Sequence, residues 1–123
     1  MLSDNIHELY YNDNLHSIND EPAFCFQDGS IKEWYYHGIR HRDDDKPASI
    51  IRTSNMNVDI WYSNGFMHRD NDKPAYIDYR SKKEWYKSGV LHRDDDKPAV
   101  IYNNQRMEYY KNGKLHRDND FPA

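Results

Sequence analysis

The stretch Glu84-Trp85-Tyr86-Lys87-Ser88-Gly89-Val90-Leu91-His92-Arg93-Asp94-Asp95-Asp96-Lys97-Pro98-Ala99 decides the fold, because the chain repeats it five times. The copies fall at residues 8–23, 33–48, 60–75, 84–99 and 108–123, and are called repeats 1 to 5 below. Their histidines, His16, His41, His68, His92 and His116, lie 25, 27, 24 and 24 residues apart. A period of this length signals a tandem-repeat architecture, in which each unit buries its apolar surface only against its neighbours. The whole chain, 1–123, is therefore read as one repeat domain.

Working outward from the phrase, each slot states a physical need. The glycine slot holds Gly38, Gly65, Gly89 and Gly113, with Asp13 in repeat 1, so it calls for a positive φ. Asn64-Gly65 and Asn112-Gly113 are tight-hairpin signals. The segment before each turn, such as Glu33-Trp34-Tyr35-Tyr36, is β-favouring and alternates. Its period of two places Leu9, Trp34, Trp61, Trp85 and Tyr109 on one face and Tyr10, Tyr35, Tyr62, Tyr86 and Tyr110 on the other.

A second strand follows the first four Pro-Ala pairs, with Cys25, Ile50, Ile77 and Ile101 as an apolar middle column and the first choice for the buried face. Polar linkers at 27–30, 53–57, 80–83 and 103–105 read as turns into the next repeat. The expected fold is all-β: tandem antiparallel hairpins forming an elongated twisted sheet or a coiled solenoid. In the preferred version the Leu-His piece and the Pro-Ala strand form one bent strand, kinked at the proline.

Composition limits what such a domain can be. Charged residues make up 31% and apolar ones 37% of the 123 residues, with a mean hydropathy of −1.20. Those values alone describe a disordered chain. Eleven Tyr, four Phe and three Trp oppose that, because ring faces can build a thin core in place of aliphatic side chains. The net charge of −4 is spread in alternating signs, which disfavours nucleic acid as a partner. No stretch is long and apolar enough for a membrane span. The opening residues lack the basic and apolar regions of a signal peptide. With the single Cys25, that leads to an expected cytoplasmic location.

The run from His41 to Ala48, repeated in the later copies, is where chemistry could reside. Its Asp-x-Asp pairs, Asp43/Asp45, Asp70/Asp72, Asp94/Asp96 and Asp118/Asp120, carry oxygen ligands of the kind Ca²⁺ takes. Two carboxylates fill few of its positions, and Arg and Lys flank them, so these are secondary metal candidates. The favoured reading is structural. His16, His41, His68, His92 and His116 bridge polar groups, and Asp20, Asp45, Asp72, Asp96 and Asp120 hold a turn by accepting backbone N–H bonds. His-Arg-Asp also occurs in protein-kinase catalytic loops, but the glycine-rich loop and Asp-Phe-Gly of a kinase are missing. Cys25 reads as a small core residue, and His7 and His37 fall outside the motif. No cofactor is expected.

The phrase Tyr109-Tyr110-Lys111-Asn112-Gly113 resembles MORN-type and antitoxin-like hairpin repeats. The longer Trp-Tyr-x-x-Gly-x-x-His-Arg-Asp form is similar to repeat arrays of large DNA viruses and phages. MORN repeats carry Gly after His where Arg or Ser stands here, and their lipid binding is not carried over. The resemblance implies a non-catalytic scaffold for protein interaction or assembly, in a viral setting located in the host cytoplasm or the virion. Trp34, Trp61, Trp85, Tyr35, Tyr62, Tyr86 and Tyr110 are its expected contact residues. The partner is another protein, with a second copy of the chain joined through open sheet ends as one form. An antitoxin-like inhibitor of one soluble protein and a Ca²⁺-stabilised repeat are the alternatives.

Overall fold

The computed structural model describes residues 6–115, and every regular element among them is a β-strand. Nine strands form one antiparallel sheet in chain order: Ile6–Glu8, Phe24–Phe26, Ile31–Glu33, Ser49–Arg52, Asn57–Ile60, Tyr76–Asp78, Lys82–Glu84, Val100–Tyr102 and Met107–Glu108. Each of repeats 1 to 4 supplies two of these, as a wide hairpin. In repeat 2, for example, Ile31 faces Ile51 and Glu33 faces Ser49. Successive repeats are joined by short turns, in which Asp28 and Asp78 accept the backbone N–H of Ser30 and Arg80 at 2.9 and 3.0 Å. The 27-residue spacing is absorbed in the Thr53–Met56 turn, whose flanking strands are the longest in the sheet.

The segment expected to be one strand, Glu33 to Tyr36, is divided at Trp34. Residues up to Glu33 pair in the sheet, whereas Tyr35–Tyr36 pairs with Ile39–Arg40 in a separate two-stranded hairpin. Trp34 stands between the two: its N–H donates to Ala48 O at 2.8 Å, and its C=O accepts from His41 N at 3.2 Å. The same switch recurs at Leu9, Trp61 and Trp85. The small hairpins close through two consecutive residues of positive φ, such as Asn64 (52°) and Gly65 (87°), which is the twist-matched two-residue turn. Asp13 fills the glycine slot of repeat 1 at φ 66°.

The single bent strand is corrected. Between the small hairpin and the returning sheet strand lies a second left-handed pair: Asn19/Asp20, Asp44/Asp45, Asn71/Asp72 and Asp95/Asp96, with φ from 54° to 66°. Two such residues in succession reverse the chain sharply, and Asn and Asp tolerate that region best. Proline then fixes an extended entry into the sheet.

The buried centre also differs from expectation. Ala23, Ala48, Ala75 and Ala99 have no exposed surface, and Trp34, Trp61 and Trp85 retain 4–7%. Val58, Val100, Ser49 and Asp59 complete the buried set. Cys25, Ile50, Ile77 and Ile101 are only half-buried. Their row alternates with charged residues, Cys25 facing Lys32 and Ile77 facing both Asp59 and Lys83. In that row Asp59 is the buried member, held by Arg52 at 2.7 Å and Tyr79 Oη at 2.7 Å. The most buried side chains, the alanines and tryptophans, lie along the bend where strands leave the sheet, with Val58 buried inside it.

Candidate functional site

The motif residues form a repeating joint between neighbouring units. At the junction of repeats 2 and 3, Arg69 grips the Asp45 carboxylate through Nε and Nη2 at 2.9 and 3.3 Å. Lys73 Nζ reaches the same carboxylate at 2.9 Å. The Trp61 indole N–H donates to Asp45 O at 3.0 Å, and the Arg69 guanidinium lies 3.8 Å from the Trp61 ring centre. Arg69 also donates to Pro74 O at 3.1 Å, which ties the loop of its own repeat. Arg42, Lys46 and Trp34 treat Asp20 identically, and Arg93, Lys97 and Trp85 treat Asp72 identically.

This two-pronged grip of guanidinium on carboxylate is the strong form of a charged hydrogen bond. It holds Asp20, Asp45 and Asp72 down at about 2, the hydrogen bond from the arginine being the largest cause. The expectation that these aspartates cap their own backbone is corrected: they clamp the next repeat.

The histidines complete the joint. His41 Nδ1 accepts the N–H of Asn64, the first residue of the next repeat's tight turn, at 3.0 Å. Its Nε2 therefore carries the proton and meets Asp43 Oδ1 at 2.7 Å. The glycine N–H of that turn donates to Arg40 O at 2.9 Å. His68 with Asp70 and Ser88, and His92 with Asp94 and Asn112, repeat the pattern. His16 accepts from His37 N in the same way. Asp94 is lowered by its hydrogen bonds from His92 and then from Lys87.

The two carboxylates of the Asp43/Asp45 and Asp70/Asp72 pairs thus serve different masters. Asp43, Asp70 and Asp94 orient their own histidine, while Asp45 and Asp72 bind Arg and Lys. A divalent cation at Asp45 would have to displace two resident cations. Among the described residues no three His, Cys, Asp or Glu side chains are grouped to hold a metal ion. Asp96 enters the left-handed pair at φ 54°. His116, Asp118 and Asp120 lie outside the described residues.

The expected contact residues are redistributed. Trp34, Trp61 and Trp85 are interior, because each ring is covered by its arginine and anchored through its N–H. Tyr35, Tyr62, Tyr86 and Tyr110 are half-buried. Tyr35 Oη donates to Glu33 at 2.9 Å, and Arg40 bonds Glu33, Tyr35 and Tyr62 together. Burial, with the Glu84 carboxylate beside it, pushes the Tyr86 hydroxyl up.

What stands in solvent is the outer side of the small hairpins. Tyr36, Ile39, Phe66 and Val90 are 59, 50, 57 and 41% exposed. Ile39, Phe66 and Val90 occupy one slot, directly after the glycine, in three consecutive repeats. They lie against the next glycine: a Cβ on Gly65 would stand 3.0 Å from Ile39 Cγ2, and one on Gly89 would stand 2.9 Å from Phe66. That apolar slot was visible in the sequence, but a strand of only two residues gave no periodicity by which to assign its face. Between the loops run open grooves of about 280, 220 and 170 Å³, the largest lined by His68, Asp70, Trp85, Lys87 and Asp95 among others. His41, His68 and His92 border these grooves with both ring nitrogens engaged, so none is left as a base.

Fold and joint together define a tandem hairpin-repeat array, stacked through one set of side chains. No family model, curated protein or solved structure matches this chain. Among the described residues, no helix is long and apolar enough to cross a membrane.

Proposed function

We propose that the chain is a non-catalytic scaffold that binds a protein partner along the outer side of its small hairpins. The observation that supports this is the exposed apolar ridge of Tyr36, Ile39, Phe66 and Val90, carried by a frame in which Asp20, Asp45 and Asp72 are each paired with an arginine and a lysine. Exposed aromatic and aliphatic side chains on a rigid support are the material of interface hot spots. The partner of this reading presents apolar side chains to the ridge and carboxylates toward Lys114, which is exposed and takes the same slot in repeat 5. An accessory or structural role in a virus or phage is the setting that the repeat phrase suggests by resemblance.

The test combines capture with a surface variant. The natural chain is used to recover partners from native lysate, with stoichiometry read by mass spectrometry, beside the variants Phe66→Asp and Ile39→Asp. The expected result is a partner lost in both variants while melting temperatures stay unchanged. A one-to-one complex would define an inhibitor or adaptor, and many copies of shell proteins an assembly component. Capture that both variants leave intact would refute the ridge.

A further inference from the structure

At the junctions of repeats 1 and 2, 2 and 3, and 3 and 4, the later repeat sends three side chains back to the earlier one: a tryptophan indole, an arginine and a lysine, all meeting the second Asp of the earlier unit. It also offers a glycine on which the earlier unit's side chain rests. Repeat 1 has lost all four. Leu9 stands in the tryptophan slot, Asp13 in the glycine slot, Ser17 in the arginine slot and Glu21 in the lysine slot. The groups that repeat 1 presents to repeat 2 are intact: His16 Nδ1 accepts from His37, Leu15 O accepts from Gly38, and Asp20 takes Arg42, Lys46 and the Trp34 indole.

We infer that the outer face of repeat 1 is a built cap, closed both to a further repeat and to the far end of a second copy of this chain. The four replacements do more than remove bonds. At the other junctions a Cβ in the glycine slot would stand only 2.9–3.3 Å from the preceding repeat's side chain. Asp13 places a Cβ and a carboxylate there, at a φ of 66° that Asp accepts. Glu21 sets a negative charge where the second Asp of an incoming repeat would sit, so that an attraction becomes a repulsion. Ser17 is turned the other way, its hydroxyl accepting Tyr35 N–H at 3.1 Å. Repeat 5 stacks without a tryptophan. Tyr109 and Phe121 replace its tryptophan and lysine, yet it keeps Gly113 and Arg117. It still stacks on repeat 4, with Asn112 N–H on His92 Nδ1 at 3.0 Å and Gly113 N–H on Leu91 O at 2.9 Å.

The test restores the repeat pattern on that face with Leu9→Trp, Asp13→Gly, Ser17→Arg and Glu21→Lys together. Association is read by sedimentation velocity over a wide concentration range. The natural chain is expected to show no end-to-end growth. The restored chain is expected to gain a weight-average mass that at least doubles with concentration, because the fifth copy retains His116 and Asp120 in its forward slots. Should the four changes together impair folding, Asp13→Gly with Glu21→Lys alters two exposed positions only and is expected to associate more weakly. Open-ended chains formed by the natural protein would overturn the inference. So would folded variants, by circular dichroism, that sediment like the natural chain.

Discussion

The sheet and the stacked loops cross the same five repeats, but they hold them together differently. In the sheet, neighbouring strands share a backbone ladder, while the side chains in one row change from Lys32 to Ile50, Asp59, Ile77 and Lys83. In the stack, the first three junctions repeat the same grip of arginine, lysine and indole on one aspartate. A ladder of N–H and C=O groups accepts almost any side chain. It therefore supplies cohesion without identity. The stack supplies identity, since a register slip by one residue would break every one of its bonds.

The sharpest way to break this contrast is Trp61→Ala, which removes a nearly buried ring and its N–H bond. Denaturant unfolding should show a loss of about 3–5 kcal/mol, the range for large aromatic truncations in cores. A cost near that of a surface substitution would remove the stack from its leading role. Arg69→Lys comes next. It keeps the charge but forfeits the two-pronged grip, the bond to Pro74 O and the ring contact, so a loss of about 2 kcal/mol is expected by the same measurement.

Gly89→Ala probes the left-handed turn, where φ is 84° and a Cβ would stand 2.9 Å from Phe66. A cost of about 1–2 kcal/mol is expected. Asp13→Gly, at the matching position of repeat 1, should cost only a few tenths of a kcal/mol at most. On the sheet, Ile77→Ala at a half-buried position should cost about 1 kcal/mol, the smaller figure reflecting its exposure.

The effect of acid is also small. Asp20, Asp45 and Asp72 have folded values of about 2, below the unfolded value near 3.9. Their contribution is therefore complete above about pH 4 and declines as the pH falls from there through 2. The carboxylates are 41–45% exposed, so solvent screening limits each to about 1 kcal/mol or less. Melting temperature against pH, with Asp45→Asn as the comparison, measures it. A variant whose curve keeps the full acid drop would assign that drop to other groups.

Much of the architecture was legible in the chain itself. Five aligned phrases fix the unit, and Asn64-Gly65 and Asn112-Gly113 announce tight turns that need no tertiary information. The inter-repeat linkers were equally readable, since Asp28-Gly29 and Asp78 hold their turns through local bonds. The second reversal was less apparent. Its signal, an Asn or Asp pair ahead of the proline in every copy, was read as one capping carboxylate instead of two left-handed residues.

The sequence by itself determined the all-β class, the repeat length and the tight hairpin turns, because these follow from local φ preferences and from repetition. Only the tertiary structure decided who bonds to whom. Asp45 reaches a guanidinium 24 residues away, and that distance in sequence becomes contact only when two repeats stack. The same stacking takes the tryptophans out of solvent and leaves Ile39, Phe66 and Val90 in it. Faces of two-residue strands are assigned by neighbours, and neighbours are chosen in three dimensions.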